Sequence, residues 1–348
     1  MHTVIDSPAD WRGPELAKSE SWIYRFTAAD VAELDEAFRS AQADGLEPKD
    51  LSREAFPLPG LAGELARTLD ELENGPGLRL LRGFPTARYS KPDLKFIYWG
   101  IGLHMGTGVS QSCAGDVLGD VRDIGVDIHS PRGRGYTSNA ELNCHCDSCD
   151  VTGLFALQVA KEGGLSSIVS SLAVHNEIAR TRPDLLEVLY EPFTWSWLGN
   201  EPAGRSPWYN QPIYTFHAGK FASRYVRGHI RNAQAMEGVP RLTPIQIAAL
   251  DYLDAMTARD EFRLTMMFQP GDIQFVNNHV TFHSRTEFED WPEPERKRHL
   301  LRLWLAVPNS RALAPAYMRF YRNTCPGAVR GGFPAWTTEK AFETFLIG

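Results

Sequence analysis

The chain has 348 residues, 43% hydrophobic and 23% charged, with a formal net charge of −7; it is long enough to bury a substantial core. The acidic balance comes without any Lys/Arg block, which argues against a nucleic-acid or anionic-membrane partner, and no apolar run approaches the roughly 20 residues of a membrane span. The N-terminal Met1-His2-Thr3-Val4-Ile5-Asp6 lacks the basic-then-apolar order of a signal peptide, and five cysteines, an odd number, suit the reducing cytoplasm better than a disulfide framework.

In chain order, residues 1–90 read as an α/β lead-in. Thr27-Ala28-Ala29-Asp30 opens a helical pattern carrying Val31, Leu34 and Phe38, and a second such pattern covers Leu61–Leu72. Gly77 to Pro85 reads as a short strand bounded by turn residues. Residues 91–104 suit another helix. From there to about residue 140 the chain is rich in Gly, Asp and Ser, so loops with short strands are expected. Strand signals then accumulate at Leu154–Ala160, Ser167–Ser171, Ile213–His217, Phe262–Phe268, Asp272–Val276 and His299–Val307. Two helices interrupt them, Ala173–Thr181 and a second from Thr243-Pro244 to Ala258 with Ile247, Leu250 and Met256 on its apolar side. Many short strands with a few inserted helices suggest a jelly-roll barrel. With no repeat or linker in view, we expect one domain: the lead-in, a core over about 91–310, and a C-terminal extension over 311–348.

The chemistry concentrates in a few places. In His145-Cys146-Asp147, two residues apart on an extended chain share a face, so an imidazole and a carboxylate can converge on one ion. His175-Asn176-Glu177 offers the same pair but opens a helix-like segment, where such residues diverge. His283 stands on a strand after the Asn277-Asn278 turn, and His279, four residues earlier, competes with it. Two imidazoles and one carboxylate are the protein ligands of a facial triad, which leaves open positions on non-haem Fe(II). Arg302 lies within the apolar run His299–Val307. A guanidinium there is costly to bury unpaired, so it needs a carboxylate from the protein or from a ligand; Arg298 shares its face.

Cys144, Cys146 and Cys149 flank His145 and supply the alternative, a non-catalytic metal-binding jelly-roll protein with a structural zinc site. Against it, no second Cys/His cluster exists at finger or ribbon spacing. Strand alternation also sends Cys144 and Cys146 away from His145 and Asp147.

Together these residues resemble the taurine dioxygenase-like (TauD) family of Fe(II)/2-oxoglutarate-dependent oxygenases, whose motif is His-x-Asp, Gly-Gly-x-Ser/Thr, Asn-x4-His and Arg-x3-Arg. Here those parts are His145-Cys146-Asp147, Gly163-Gly164-Leu165-Ser166, Asn278 to His283, and Arg298 to Arg302. The resemblance implies a mainly β fold with flanking α-helices, built on a double-stranded β-helix (a jelly-roll, cupin-like core). It implies His145, Asp147 and His283 as iron ligands, the Asn278 spacing choosing His283 over His279. Arg302 and the Ser166 hydroxyl would hold the distal carboxylate of 2-oxoglutarate, and Arg298 would lie near its keto-acid end. With dioxygen, such a site oxidises an unactivated C–H and releases succinate and CO2. The carboxylate of Asp147 occupies the position that halogenating relatives leave open, so hydroxylation is the expected outcome.

The substrate is expected to be a small polar metabolite such as an amino acid or amine. The aromatic and Arg-rich stretch Trp195–Arg231 is its expected cover, with Arg224, Tyr225 and Arg227 as candidate contacts. A homo-oligomer stays open, since no heptad or interface stripe is visible.

Overall fold

Two sheets pack face to face in the computed structural model, which describes residues 2–125, 137–202 and 204–333. Their strands, in chain order, are β1 (Ile23–Arg25), β2 (Leu78–Arg82), β3 (Thr107–Gly108), β4 (Leu118–Val121), β5 (Leu142–His145), β6 (Val151–Gln158), β7 (Ser166–Ser170), β8 (Arg263–Met266), β9 (Ile273–Asn277), β10 (Thr281–Arg285) and β11 (His299–Ala306). The larger sheet runs β1-β2-β9-β6-β11-β3, with β4 also on β11, and the smaller runs β8-β7-β10-β5. All pairings are antiparallel except β1 with β2. This is the mainly β jelly-roll core expected, with one difference in extent: two strands of the lead-in join the larger sheet, so the barrel is not confined to residues 91–310. Such pairing is non-local and has no signature in a local window.

The strand period of two sorts side chains between barrel interior and exterior. Along β11, Leu301, Leu303 and Leu305 face outward and pack with Leu34, Phe38, Leu65, Leu69 and Ile97 of the covering helices. Leu300 faces inward, meeting Leu78, Leu80 and Val276 of its own sheet and Ile168 and Leu264 of the other. The covering helices are α1 (Ala28–Ala43), α2 (Ala62–Asn74) and α3 (Lys91–Met105). Helices α1 and α3 start with capping boxes, Thr27 with Asp30 and Ser90 with Asp93. The smaller sheet is covered by α4 (Ser171–Thr181) and α5 (Pro244–Thr257), whose apolar residues join Val169, Phe282 and the three central cysteines.

Several sequence expectations need adjustment. The buried stripe of α5 is Ala249, Leu250, Leu253, Met256 and Thr257, so Ile247 falls off it and is 43% exposed. The strand at Ile213–His217 exists as Tyr214–His217, but it pairs with Lys220–Ser223 in a separate hairpin outside the barrel. Phe193–Ser196 and Trp208–Gln211 form another ladder that periodicity did not reveal. Part of the loop-rich stretch before residue 140, and the end of the C-terminal extension from 334, lie outside the described residues. Among the described residues, no helix is long and apolar enough to cross a membrane.

Candidate metal centre

His145 closes β5 and His283 is the middle residue of β10; the two are direct cross-strand partners, with ring centroids 4.4 Å apart. Between His283 and Arg285 the β5 register slips, because His145 opposes His283 while Leu142 opposes Arg285. Three residues of β5 therefore span two of β10, a bulge that turns both Leu142 and His145 towards the interior. Asp147 lies two residues past the strand and is buried. Ligand atoms of His145, Asp147 and His283 all lie within 4.8 Å of one another, the one such cluster among the described residues.

The surroundings fix each group. His145 Nδ1 lies 2.8 Å from the Asn143 carbonyl oxygen; a carbonyl only accepts, so Nδ1 carries the proton and Nε2 keeps its lone pair for a metal. The Asp147 backbone N–H donates to Asn278 Oδ1 at 2.9 Å, and the Thr152 hydroxyl donates to Asp147 Oδ2 at 2.9 Å. Asn278 Nδ2 in turn donates to Thr152 Oγ1 at 3.0 Å. Burial pushes the Asp147 carboxyl upward, but the Arg302 guanidinium and the two imidazoles outweigh it and bring it to about 2. Burial, and then the neighbouring His145, depress His283 to about 3. At neutral pH the site thus offers one carboxylate and a neutral His283, the ionisation a divalent cation needs.

The same cavity contains Ser166, Arg285, Arg298 and Arg302 together with the apolar Val121, Leu142, Leu154, Phe268 and Leu300. Arg302 Nη1 sits 3.5 Å from Asp147 Oδ1, and its Nε donates to Gln111 Oε1 at 2.7 Å. Arg298 is buried, with Nη1 lacking any hydrogen-bond partner. Burial, reinforced by the like charge of Arg285 and opposed by Asp290, holds its guanidinium down to about 9. Gly163 and Gly164, at φ of 73° and 68°, make the turn into β7 that lays the chain over Arg298. A side chain on Gly163 would run into the Glu287 carbonyl, and a Cβ on Gly164 would lie 3.3 Å from Arg298 Nε. Ser166 Oγ donates to Gln274 Oε1 at 3.3 Å.

Other candidates fall elsewhere. Arg224, Tyr225 and Arg227 do not line this cavity. Arg224 is fully buried, its Nη1 donating to Tyr209 OH at 2.7 Å and its guanidinium 3.9 Å from the Phe320 ring centroid. Tyr225 donates to Asp254 at 2.5 Å, and Arg227 pairs with Asp251 and Asp254. Arg224 thus packs within the aromatic insertion, while Tyr225 and Arg227 tie it to α5. His279 bonds Asp150 at 2.8 Å, away from the cluster. His175 lies on α4, between Asn176 and Tyr190. The cysteines form no site: Cys144 faces the Thr257 carbonyl, Cys146 that of Tyr225 and Cys149 that of Val151.

Sequence reasoning missed Gln111, Thr152 and Arg285. Gln111 is 191 residues from the arginine it holds and carries no local signal. Thr152 and Arg285 were accessible by alternation, Arg285 standing two residues beyond His283 on one strand.

The fold and these side chains define a non-haem iron oxygenase that works with a keto acid. The sequence profile described as "Taurine catabolism dioxygenase TauD, TfdA family" matches residues 42–304, and the chain belongs to that family. FR-33289 synthase of Streptomyces rubellomurinus is 32% identical over 305 residues, covering 86% of this chain and 90% of the relative. The taurine hydroxylase-like protein SAT17 of Stachybotrys chartarum is 30% identical over 305 residues, 84% of this chain and 77% of its own. Among solved structures, an asparagine oxygenase in complex with Fe(II), (2S,3S)-3-hydroxyasparagine and succinate superposes with a TM-score of 0.63 at 17% identity, over 82% of this chain and 93% of that one. The non-haem iron oxygenase OrfP with Fe and α-ketoglutaric acid gives 0.59 at 16% identity, over 81% and 93%. The protein is a non-haem Fe(II)/2-oxoglutarate-dependent dioxygenase, with Fe(II), 2-oxoglutarate and dioxygen as its cofactor and cosubstrates; the structural-zinc alternative is not favoured.

Proposed function

We propose that the enzyme hydroxylates an unactivated C–H of a small polar metabolite, an amino acid or amine in the first instance, with His145, Asp147 and His283 as its iron ligands. The observation that carries this reading is the convergence of that triad, Ser166 and the unpartnered Arg298 Nη1 on one buried cavity. When bound, Fe(II) and 2-oxoglutarate supply the power to split dioxygen, leaving succinate and CO2.

The chain's own part is geometry and charge. Asn278, Thr152 and the Asn143 carbonyl hold the ligands in place before the metal arrives. Leu142, Val121, Leu154, Phe268 and Leu300 keep the cavity apolar around its few polar groups, which strengthens each ion pair inside. Arg302 lies beside a ligand carboxylate, so it belongs at the metal end. Arg298, under the Gly163-Gly164 turn that leads into Ser166, lies in a position to receive the distal carboxylate of the keto acid. This order of the two arginines is the reverse of the one the resemblance suggested.

Asparagine oxygenase and OrfP, solved with hydroxylated amino acids, support amino acids as the first class to test. All five cysteines are free, which supports a cytoplasmic setting. The test has two parts. Anaerobic Fe(II) and 2-oxoglutarate should give a visible charge-transfer band, and a screen of amino acids and amines should give substrate-dependent succinate release. A flat spectrum from folded protein would overturn the assignment of the site, and succinate release confined to substrates without an amino group would overturn the substrate class.

A further inference from the structure

The family profile ends at residue 304, yet the chain beyond it returns to the metal centre. Arg330 is buried, and its Nε bonds Asp150 Oδ1 at 2.8 Å. Its Nη1 and Nη2 donate to the carbonyls of Cys325 and Arg311 at 3.0 and 2.7 Å. Asp150 lies three residues after Asp147 and is also bonded by His279 at 2.8 Å. Two residues on, the Gly332 N–H donates to the Ser148 carbonyl at 2.6 Å, and the Phe333 N–H to the Ser110 carbonyl at 2.8 Å. Ser148 is the neighbour of Asp147; Ser110 is the neighbour of Gln111, which holds Arg302. The Phe333 ring packs 6.0 Å from Trp304, whose own ring lies 5.0 Å from the Arg302 guanidinium.

The approach is close enough to require glycine. Gly332 has φ of 64°, and a Cβ there would sit 2.6 Å from the Ser110 carbonyl oxygen. The segment's backbone hydrogen bonds to the barrel thus fall on the turn carrying Asp147 and on the loop carrying Gln111.

We propose that residues 330–333 are a strap that positions the metal end of the site, with Arg330 and Gly332 holding the Asp147 turn and Phe333 holding the Gln111–Arg302 pair. Arg330 is a positioning residue: it touches neither metal nor cosubstrate and acts through Asp150. Removing its guanidinium leaves the Asp150 carboxylate buried with less compensation and frees the backbone that aims Asp147. The inference rests on the reading of Asp147 as an iron ligand.

The test is an anaerobic Fe(II) titration of the full chain in excess 2-oxoglutarate, following the charge-transfer band, with circular dichroism as the check on folding. Arg330→Met should raise the half-saturating Fe(II) concentration about 10-fold, the low end of what losing a direct partner of a metal ligand costs, because Arg330 acts one residue further out, and Arg330→Lys should recover part of it. Arg79→Met on β2 removes a buried pair with Glu64 of α2 and should lower thermal stability without moving the half-saturation. Folded Arg330→Met with wild-type half-saturation overturns the strap. If Arg330→Met does not fold, Gly332→Ala decides, since it leaves the Asp150 pair in place: a wild-type titration overturns the proposal and a weakened one supports it. A wild-type chain without any band would instead remove the iron-site reading and the strap with it.

Discussion

The side-chain oxygen of Asn278 accepts the backbone N–H of Asp147 across 2.9 Å, while its amide nitrogen supports the Thr152 hydroxyl that bonds the same aspartate's carboxylate. One side chain thus fixes both the main chain and, through Thr152, the carboxylate orientation of a candidate ligand. Asn278→Ala leaves the buried Asp147 N–H unpaired, at a cost of about 1–3 kcal/mol, and lets the carboxylate rotate. We expect Fe(II) affinity to fall about 10- to 100-fold with the far-ultraviolet spectrum unchanged; an unaltered titration would show that Asp147 is held by other means.

The two arginines should separate kinetically. With Arg298 on the distal carboxylate as proposed, Arg298→Met would remove a charge-assisted contact worth about 1.5–3 kcal/mol, so KM for 2-oxoglutarate should rise about 10- to 100-fold while Fe(II) binding without cosubstrate is little changed. Arg302→Met removes the cation beside Asp147 and should weaken or shift the charge-transfer band even at saturating 2-oxoglutarate. The opposite pattern would restore Arg302 to the distal carboxylate.

The central thiols should behave as core, not as ligands. Burial pushes Cys146 up to about 11 and raises Cys144 and Cys149, which suppresses the reactive thiolate. In native protein a thiol reagent should modify Cys325 and then the half-buried Cys113, with Cys144, Cys146 and Cys149 reacting only on unfolding. A chelator should abolish succinate formation and leave the fold in place. Chelator-induced unfolding that releases the three thiols would revive the zinc alternative.

His175 gives the fold an acid-sensitive element outside the cavity that holds the His145, Asp147 and His283 cluster. Burial lowers it to about 4, its contact with Asn176 opposing the shift. The unfolded chain therefore binds this proton more readily, and stability falls as pH drops below about 6.5, with the loss complete below about 4. His175→Gln removes that proton linkage, so stability measured by urea unfolding should fall less between pH 6.5 and 4 than in the wild type. Equal slopes over that interval would show that other groups carry the acid response.

Much of the site was legible because its parts are local patterns. Arg298, just before β11, and Leu300 and Arg302 on it face one way and Leu301 and Leu303 the other, as alternation predicts. His175-Asn176-Glu177 was separable from His145-Cys146-Asp147 by the helical period, and α4 bears this out. The choice of His283 over His279 came from family spacing, and the structure brings His283, not His279, to the cluster. In the aromatic insertion, packing adds what the sequence lacks. Arg224 looked available because a cation amid aromatics suits a ligand, but the same rings enclose it, and no local pattern distinguishes a cage that is empty from one that is filled.

By itself the sequence determined that His145 and Asp147 can share a face, and that Arg298 and Arg302 can, because residue type and short spacing decide this; the family resemblance added His283 and the Ser166 hydroxyl. Only the tertiary structure decided that Arg302 lies 3.5 Å from Asp147. It also decided that Gln111 holds Arg302 and that residues 330–333 reach back to Ser148 and Ser110. Those are contacts between segments far apart in the chain, 191 residues for Gln111 and Arg302. They are set by how two sheets and a C-terminal segment close around one cavity, and no periodicity along the chain encodes that closure.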